Sequence, residues 1–446
     1  MKKAAKQLAA LLLTLPVLAM SSAGCASQPQ GTASTASAAS QTEAPSGAPG
    51  SSSEDKNIAA NLTFWHTYSA NSEAKVVNEK LIPAFNKEYP NIKIKSVTMP
   101  TDNFKQQVLQ AAASGASPDV MRMDLTWVPQ FANLNSLVTV DSMDGFDDIK
   151  SNSFEGVLNT CKWKDHYYGI PLDTNTTIAI YNKADLKDTG LSDPPKTLDE
   201  LAQAAEKIKG KHPNGLIGIS GMGMWSMAPY FLSLGGKYCD DGYTKATGYI
   251  NSDESIAALT KLVQWNDEGL VGKCMLNGQP GTWDGLKAAN GYMVINDGPW
   301  FYTLQDKKIT DNDVYGLMPS NGAKSVSVVG GEDMVMFQNC KNQEAAWDFM
   351  KFMFSEDAQK TMALEVNQFP ANKKVSQSSE LASNPLFQKY MEQLDTAWAR
   401  IPNPSIEEMD NSISLAFEKA FRHKGTVKEN LDTLAQQLDK LFAKNA

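Results

Sequence analysis

The sequence predicts an α/β protein of two domains, and three observations support this fold class. Strand-like segments alternate with helix-like segments from residue 61 onward, a pattern typical of mostly parallel α/β sheets. About 390 residues follow Asn57, enough for two domains that each bury a sizeable core. No stretch beyond the N-terminal region approaches about 18 consecutive apolar residues, so we expect the body of the chain to fold in water.

The first residues predict an export signal. Three lysines precede the apolar run 8–20, and small residues lead to Cys25. The run is too short to span a bilayer. The letters SAGC at 22–25 resemble a bacterial lipobox, in which the cysteine is acylated after cleavage, although leucine is usual where serine stands. We therefore predict a lipoprotein signal peptide over 1–24 and lipidation of Cys25; ordinary secretion with a free thiol is the alternative.

Residues 25–60 predict a flexible tether. The segment is rich in Ser, Ala, Gly, Thr and Pro, and its first large apolar residue is Ile58. Such a composition cannot bury enough surface to offset the entropy lost on ordering. As a coil of roughly 35 residues it would have an r.m.s. end-to-end distance of about 30–35 Å.

Charge and cysteine content exclude several classes of function. The chain has 41 basic and 50 acidic residues, and without the three lysines of the predicted signal 38 basic residues remain, a net charge of −12. Nucleic acid is therefore excluded as a partner. Four cysteines besides Cys25 form no C-x-x-C pair, which argues against metal knuckles and redox motifs. In an exported chain Cys239 and Cys274 could form a disulfide; otherwise they are small buried thiols.

Hydrophobic periodicity predicts the individual elements in order. Predicted strands cover 62–65, 92–97, 118–124, 176–181, 216–219, 292–295 and 326–336. Predicted helices cover 72–90, a segment from Asp102 or Asn103 to Gly115, one opened by the capping box TLDE at 197–200, and 255–265. From Asn342 the chain is predicted to be nearly all helical, with segments at 345–354, 356–364, 380–394 and 405–441.

No motif requires an enzyme. H-E-x-x-H, G-x-S-x-G and the P-loop are absent, and the four histidines lie far apart in sequence. Ser72 and Lys75 match S-x-x-K, but the companion motifs K-T-G and S-D-N do not occur. Carboxylates are abundant, yet a sequence cannot place two of them across a glycosidic bond. We predict a binding protein with no catalytic residues, no metal and no cofactor.

Large aromatic residues follow the predicted strands. They are Trp65 and Tyr68, Trp127, Trp225 and Tyr230, and Trp300. The carboxyl edge of an open α/β sheet is where ligands bind. An aromatic face matches the apolar face of a sugar ring, and nearby polar groups can satisfy its hydroxyls. The pattern predicts an uncharged, hydroxyl-rich ligand.

The aromatic residues also have structural interpretations. Trp265 and Trp347 lie inside amphipathic helices and are predicted to be core residues, whereas Trp163 is predicted to belong to a hairpin. Trp65 could simply cover the core. The turn 297–299 suits the end of a strand and the start of a helix. Trp300 would then either project into the cleft or act as a buried staple that fixes the angle of that helix.

Polar residues near the same strand ends complete the predicted site. Asp124 ends a strand, Asp173 precedes one, and Glu332 follows Gly330 and Gly331, whose missing side chains would let a ligand approach the backbone. Each carboxylate could instead be a cap or a surface charge. His66, Trp398 and Arg400 are further candidates for contact with the ligand.

Five segments together resemble the extracellular solute-binding proteins of carbohydrate ABC transporters, the maltodextrin-binding class of family 1. They are LTFWHTYS, ASPDVMRMD, YGIPLDTNTTIAIYNKADL with DPPKTLDELAQAAEKI, GTWDGLKAANGYMVINDGPW, and VVGGEDMVMFQNCKNQEAAWDFMKFMFSEDAQ. They occur in family order from about residue 61 to 370, and the helical tail also fits. Asn290-Gly291 departs from the pair Ala-Met that the family usually has there.

The resemblance implies a two-lobed fold of the periplasmic-binding-protein type II, with hinged lobes and a ligand cleft between them. Carried over by position, the first lobe covers 61–172 plus 329–368 and the second covers 173–328 plus 369–446. Trp300 falls at the family's stacking tryptophan, Glu332 at the crossover contact beside Gly331, and Asp124 with Trp127 on the rim of the first lobe. Trp398 and Arg400 align loosely.

The resemblance also implies a function. It predicts a monomeric, lipid-anchored protein at the extracellular face of the membrane that captures an oligosaccharide by closing its lobes. The closed form would be presented to the permease subunits of an ABC importer. A surface-tethered glycoside-acting enzyme, and a sugar sensor or adhesin that works without a transporter, are the alternatives.

Overall fold

The structure is a computed structural model that describes residues 58–299, 302, 311–322 and 324–445. The predicted signal peptide, Cys25, most of the predicted tether and Trp300 lie outside the described residues. Among the described residues, no helix combines the length and apolar content that crossing a bilayer requires. The same residues contain no cluster of His, Cys, Asp or Glu suited to holding a metal ion.

Short strands and helices alternate along the described chain. The strands are β1 (Ala60–His66), β2 (Ile92–Thr98), β3 (Val120–Asp124), β4 (Lys162–Trp163), β5 (His166–Tyr167), β6 (Gly169–Asn175), β7 (Ile178–Asn182), β8 (Ile217–Gly218), β9 (Val294–Asp297), β10 (Asp313–Gly316), β11 (Ser327–Val328), β12 (Gly330–Met336) and β13 (Ala397–Trp398). The helices are α1 (Glu73–Val76), α2 (Ile82–Glu88), α3 (Phe104–Ser114), α4 (Val128–Asn133), α5 (Phe146–Asn152), α6 (Glu155–Leu158), α7 (Lys183–Asp188), α8 (Leu198–Ile208), α9 (Met224–Ser233), α10 (Asp253–Asp267), α11 (Thr282–Lys287), α12 (Gln343–Phe354), α13 (Glu356–Val366), α14 (Lys373–Ser376), α15 (Ser379–Ala382), α16 (Pro385–Leu394), α17 (Ile406–Phe421) and α18 (Val427–Lys444). A π-helical segment, Val77–Leu81, joins α1 to α2.

Two sheets organise these elements. The five-stranded sheet has the order β2-β1-β3-β12-β6, and the four-stranded sheet has the order β10-β7-β9-β8. The first sheet buries a cluster around Phe64, Phe85 and Phe349, whereas the second buries a cluster around Tyr181, Phe231 and Phe417. Each sheet therefore has an apolar core of its own.

The chain passes between the two sheets at several places. β6 of the first sheet ends at Asn175, and β7 of the second sheet begins at Ile178. β11 ends at Val328, and β12 of the first sheet begins at Gly330. Near residue 370 the chain pairs again with the end of β6, through a bridge between Asp173 and Pro370. The exact lobe boundaries, 61–172 plus 329–368 and 173–328 plus 369–446, stay a prediction.

The expectation of mostly parallel sheets is wrong. β1 is parallel to β2 and β3, but β12 is antiparallel to both β3 and β6. In the second sheet β7 is antiparallel to β9 and β10. The reason is the crossover: β6 runs toward the other sheet while β12 returns from it, so the two strands must point in opposite directions.

Two further predictions about elements fail for local reasons. Residues 326–336 form two strands, because β11 pairs with β13 while β12 joins the five-stranded sheet. The predicted helical segment 405–441 is split between α17 and α18. Gly425 has φ +83°, and Thr426 with Glu429 forms a new capping box just after it.

Other predictions are confirmed. Thr197 and Glu200 form the predicted capping box of α8. Trp265 and Trp347 are buried, at 1% and 4% exposure. Cys161, Cys239, Cys274 and Cys340 are all buried free thiols. The alternative of a Cys239–Cys274 disulfide is therefore wrong, and both residues pack as small apolar side chains.

Candidate functional site

Arg122 gathers two of the predicted ligand-binding carboxylates at the crossover end of the five-stranded sheet. Its Nη2 lies 2.6 Å from Glu332 Oε2 and 3.3 Å from Asp173 Oδ2. Its Nη1 donates to Thr67 Oγ1 over 3.2 Å, and its guanidinium carbon is 4.5 Å from the centre of the Tyr68 ring. The strand register brings the carboxylates close to Arg122, since Glu332 pairs with Asp173 on β6 and with Asp124 on β3, two residues after Arg122.

The Arg122 cluster, defined as Arg122, Asp173 and Glu332, is largely shielded from solvent. The side chain of Arg122 is 10% exposed, that of Asp173 4% and that of Glu332 24%. Burial raises the pKa of Glu332 above its ordinary value, although the charge of Arg122 opposes the shift. Burial disfavours the charge of Arg122, but Glu332 and Asp173 outweigh it and raise the pKa of Arg122. The positive charge of Arg122 thus compensates the two neighbouring carboxylates within the protein.

The imidazole of His66 has a partner within the protein, whereas the buried hydroxyl of Tyr68 has no hydrogen-bond partner among the described residues. His66 is fully buried, with Nε2 2.8 Å from Ser96 Oγ, and Tyr68 is 1% exposed. Burial, assisted by the charge of Arg122, lowers the pKa of His66 to about 4, so the imidazole is neutral at physiological pH. The backbone N–H of Tyr68 donates to His66 Nδ1 over 3.3 Å. Contact of either residue with a ligand stays a prediction.

Asp124 caps the turn after β3. Its Oδ1 accepts hydrogen bonds from the backbone N–H of Thr126, over 2.8 Å, and from the Thr126 hydroxyl. The side chain is half-buried. This arrangement matches the cap that the sequence left open for Asp124, while a role in ligand binding stays a prediction.

Trp225 and Arg400 come together in a cavity of about 310 Å³. Trp225 lies in the first turn of α9, where it is half-buried, and the Arg400 guanidinium carbon is 5.6 Å from the centre of its indole. Asp410 lines the same cavity and accepts a hydrogen bond from the backbone N–H of Met224 over 2.6 Å. Thr126, in the turn after β3, forms part of the wall. The cavity is thus lined by residues from both lobes.

The glycine pair at the crossover fits tightly against Trp225 and β6. A Cβ at position 330 would lie 2.6 Å from Trp225 Cζ3 and 2.2 Å from Asn175 Oδ1. Gly331 has φ +131°, and a Cβ there would lie 2.4 Å from the carbonyl oxygen of Asp173. Packing therefore requires both glycines, which replaces the reason given from the sequence. Contact of Gly331 with a ligand stays a prediction.

Polar atoms without a hydrogen-bond partner surround Trp225. They are Asn175 Oδ1, Thr176 Oγ1 and Arg400 Nε, all of them buried. Buried polar groups in folded proteins are nearly always paired, so such atoms mark a place where a ligand can supply the missing partner. Asn175 and Thr176 lie two and three positions after the predicted Asp173, but no pattern in the sequence selects them. Asp410 lay hidden inside a regular helical pattern.

A second cavity, of about 830 Å³, adjoins the first and shares Thr126 and Arg400 with it. Trp163 and Lys164 of the β4–β5 hairpin line one side, and Tyr243 and Phe442 line another. Of the predicted ligand-binding residues, Arg400 alone lines this larger cavity among the described residues. Trp225 and Arg400 line the smaller cavity, and the predicted ligand-binding set as a whole stays a prediction.

The remaining predicted aromatic residues are dispersed. Trp65 and Trp127 are half-buried against one apolar cluster beneath α3 and α4. Trp398 stacks on Tyr238 with ring centres 5.1 Å apart and faces a hollow separate from that of Arg400. Tyr230, one of the aromatic residues that follow the predicted strands, is buried within α9. Gly298, two residues before Trp300, lies beside Trp225, since a Cβ there would be 3.9 Å from Cζ2.

Comparison with known proteins places the chain in a family. The sequence profile described as bacterial extracellular solute-binding protein matches residues 80–389. The maltotriose-binding protein of Pyrococcus abyssi (strain GE5 / Orsay) is 23% identical over 379 residues, which cover 81% of this chain and 77% of that protein. The maltooligosaccharide ABC transporter solute-binding lipoprotein of Streptococcus pneumoniae (strain ATCC BAA-255 / R6) is 25% identical over 311 residues, covering 66% and 69%.

A solved structure shares the fold. The sugar-binding protein MalE from Xanthomonas citri superposes with a TM-score of 0.76 at 22% identity, over 86% of this chain and 98% of that chain. The predicted two-lobed type II fold is confirmed. The chain belongs to the bacterial extracellular solute-binding protein family, a family of binding proteins rather than enzymes, as the sequence predicted.

Proposed function

We propose that this extracellular solute-binding protein captures an oligosaccharide in the cavity around Trp225 and delivers it to the permease subunits of an ABC importer. Family membership supports the binding role. The relatives named above as maltotriose-binding and maltooligosaccharide-binding support the class of ligand. The proposal extends their printed activities to this chain.

One observation carries the proposal: a partly exposed indole lies close to polar atoms that have no hydrogen-bond partner in the described part of the chain. Trp225 offers an apolar face, Arg400 Nε is a free donor and Asn175 Oδ1 is a free acceptor. A sugar ring presents an apolar C–H face and hydroxyls that both donate and accept, so it matches this set. Gly298, two positions before Trp300 in the sequence, lies beside Trp225, and we expect Trp300 to add a second aromatic face.

Delivery requires that the ligand change the relative stability of two conformations. A sugar bound between the sheets contacts Thr126 on one side and Trp225 on the other only when the lobes are close. It therefore binds the closed state more tightly and shifts the population toward it. The permease would then distinguish the loaded from the empty protein by shape.

The first test is a thermal-shift screen against mono- and oligosaccharides, followed by calorimetry on those that raise the midpoint. Trp300→Ala should weaken sugar binding at least about tenfold, roughly 1.4 kcal/mol, with little change in unfolding temperature. Trp163→Ala, in the hairpin that lines the other cavity, is the control and should leave the affinity unchanged. Unchanged affinity of Trp300→Ala would contradict the stacking role, and the absence of any saccharide ligand would contradict the proposed function.

We also propose that the protein is a monomer anchored by acylated Cys25 on the outer face of the membrane. The Streptococcus pneumoniae relative is named a lipoprotein, which supports this anchor. Cys25→Ala should release the protein into the medium, and mass spectrometry of the N-terminal peptide of the natural protein should find the lipid. Equal membrane association of both forms would contradict the anchor, and light scattering tests the monomer.

A further inference from the structure

An ion pair joins elements that belong to different sheets. Lys105, in the first turn of α3, has its Nζ 2.8 Å from Glu407 Oε1, in the first turn of α17. The neighbour Phe104 packs in the apolar cluster beneath the five-stranded sheet, with Met121 and Met123. The neighbour Ile406 packs in the core of the four-stranded sheet. The pair therefore connects the two lobes directly.

Lys105 is unusually buried for a lysine. It is 8% exposed, whereas Glu407 is 57% exposed and lines the smaller cavity. The ammonium also lies 5.5 Å from the centre of the Trp127 ring, a favourable cation–π arrangement. An ammonium removed from water needs partners, and Glu407 supplies its compensating charge from the other lobe. Separation of the lobes would leave the buried cation without that carboxylate.

The position of the pair distinguishes it from the contacts at the crossovers. The crossover strands β6 and β12 form one side of the five-stranded sheet, and β2 is its opposite edge. α3 lies between β2 and β3 in the chain and packs on Met121 and Met123 of β3, so Lys105 is carried by an element outside the crossover strands. The pair is therefore a contact between the lobes that does not involve the crossover strands.

We propose that Lys105 and Glu407 form a latch that holds the lobes together before any ligand binds. The latch biases the empty protein toward the closed form, whatever the chemistry of the ligand. Because Glu407 is exposed, salt screens the pair, and closure of the empty protein weakens as ionic strength rises. An ion pair of this exposure should change the ratio of closed to open molecules by about two- to fivefold.

Small-angle scattering of the ligand-free protein tests the latch at low and at high salt. The natural protein should have a smaller radius of gyration at low salt and expand as salt is added. Lys105→Met and Glu407→Gln should both be expanded at low salt and insensitive to salt. The doubly exchanged Lys105→Glu/Glu407→Lys should recover part of the compaction and its salt dependence, which a purely structural role would not restore.

The matched control is Lys80→Met, which removes an ion pair with Glu365 inside the first lobe. It should behave as the natural protein does. Glu407→Gln decides the matter if Lys105→Met fails to fold, since Glu407 is the exposed partner. Equal radii and equal salt slopes for the natural protein, the control and Glu407→Gln would overturn the latch. No sugar is present, so this result is independent of the proposed function.

Discussion

The Arg122 cluster and the cavity around Trp225 stand near one another at the crossover, yet they treat polar groups in opposite ways. In the Arg122 cluster each charge has a partner of opposite sign within 3.3 Å. Around Trp225, by contrast, Asn175 Oδ1 and Arg400 Nε are buried without a partner. The difference teaches that charged residues at a predicted binding edge can stabilise the fold through ion pairs. Polar atoms without a hydrogen-bond partner instead mark the space left for a ligand.

Arg122→Met should disrupt the Arg122 cluster and cause the largest loss of stability. It leaves Asp173 and Glu332 as neighbouring buried acids, and removing one partner of a buried ion pair costs about 3–5 kcal/mol. Urea denaturation should show a loss of that order at pH 8. The loss should shrink at pH 5, because burial raises the pKa of Glu332 and this acid takes up a proton more readily as the pH falls.

Arg422→Met is the control for the loss of an arginine. Arg422 pairs with Glu418 one helical turn away on an exposed surface. Its removal should cost at most about 0.5 kcal/mol. If both variants lose equally little stability, the Arg122 cluster does not stabilise the fold.

Asp333→Asn should show how a buried group without a cationic partner differs from the Arg122 cluster. Asp333 is 1% exposed, and burial raises its pKa to about 8, although hydrogen bonds from Cys161 and Thr160 oppose the shift. The folded-state pKa is above the unfolded one, so this stability is present below about pH 4 and is lost as pH rises toward 8. The natural protein should lose up to about 1.4 kcal/mol per pH unit relative to the variant.

Unfolding free energies at pH 5, 6 and 7 measure this difference. Asp188→Asn is the control: the hydrogen bond from Lys211 lowers the pKa of Asp188, so its contribution is constant above the ordinary pKa and the variant should run parallel to the natural protein between pH 5 and 7. Parallel pH curves for the natural protein and Asp333→Asn would contradict the prediction.

Trp225→Ala tests the role of the cavity, because it should reduce sugar affinity more than stability. We expect sugar affinity to fall at least about tenfold, or 1.4 kcal/mol. Because the indole is half-exposed, the loss of stability should stay below the roughly 3–5 kcal/mol typical of a buried tryptophan. Calorimetry with a sugar from the screen measures the affinity, and urea denaturation measures the stability. Trp398→Ala should weaken binding less, since Trp398 packs on Tyr238 away from Arg400.

Arg400→Lys should have the smallest effect. Lysine keeps the charge but loses Nε and the planar fork that lies over Trp225. The loss of one hydrogen bond to the ligand predicts affinity about two- to tenfold lower. Calorimetry with the same sugar measures it, and an unchanged affinity would show that Arg400 Nε is not used by the ligand.

Local patterns predicted local structure well. The periodicity of 255–265 and the TLDE capping box were enough to place α10 and α8, because both depend on neighbours within one or two helical turns. The fold class also followed, through the alternation of elements and the family resemblance.

Contacts between distant residues could not be predicted. Periodicity shows which face of a strand is buried but not the direction of its neighbour, so the antiparallel placement of β12 was missed. Arg122 was not selected because its partner Asp173 lies 51 positions away and nothing near Arg122 in the chain marks it. Asn175 was missed for a similar reason: its significance comes from the partner it lacks.

The joint between β11 and β12 has a mechanical consequence. Val329 is the one residue between two strands that belong to different sheets, and its N–H donates to the carbonyl of Trp398 over 2.9 Å. A link of one residue cannot extend further. Rotation of one lobe relative to the other must therefore change a few backbone torsion angles at Val329 and at the neighbouring glycines. The rotation is thereby confined to a defined axis, which lets a small molecule trigger a reproducible change of shape.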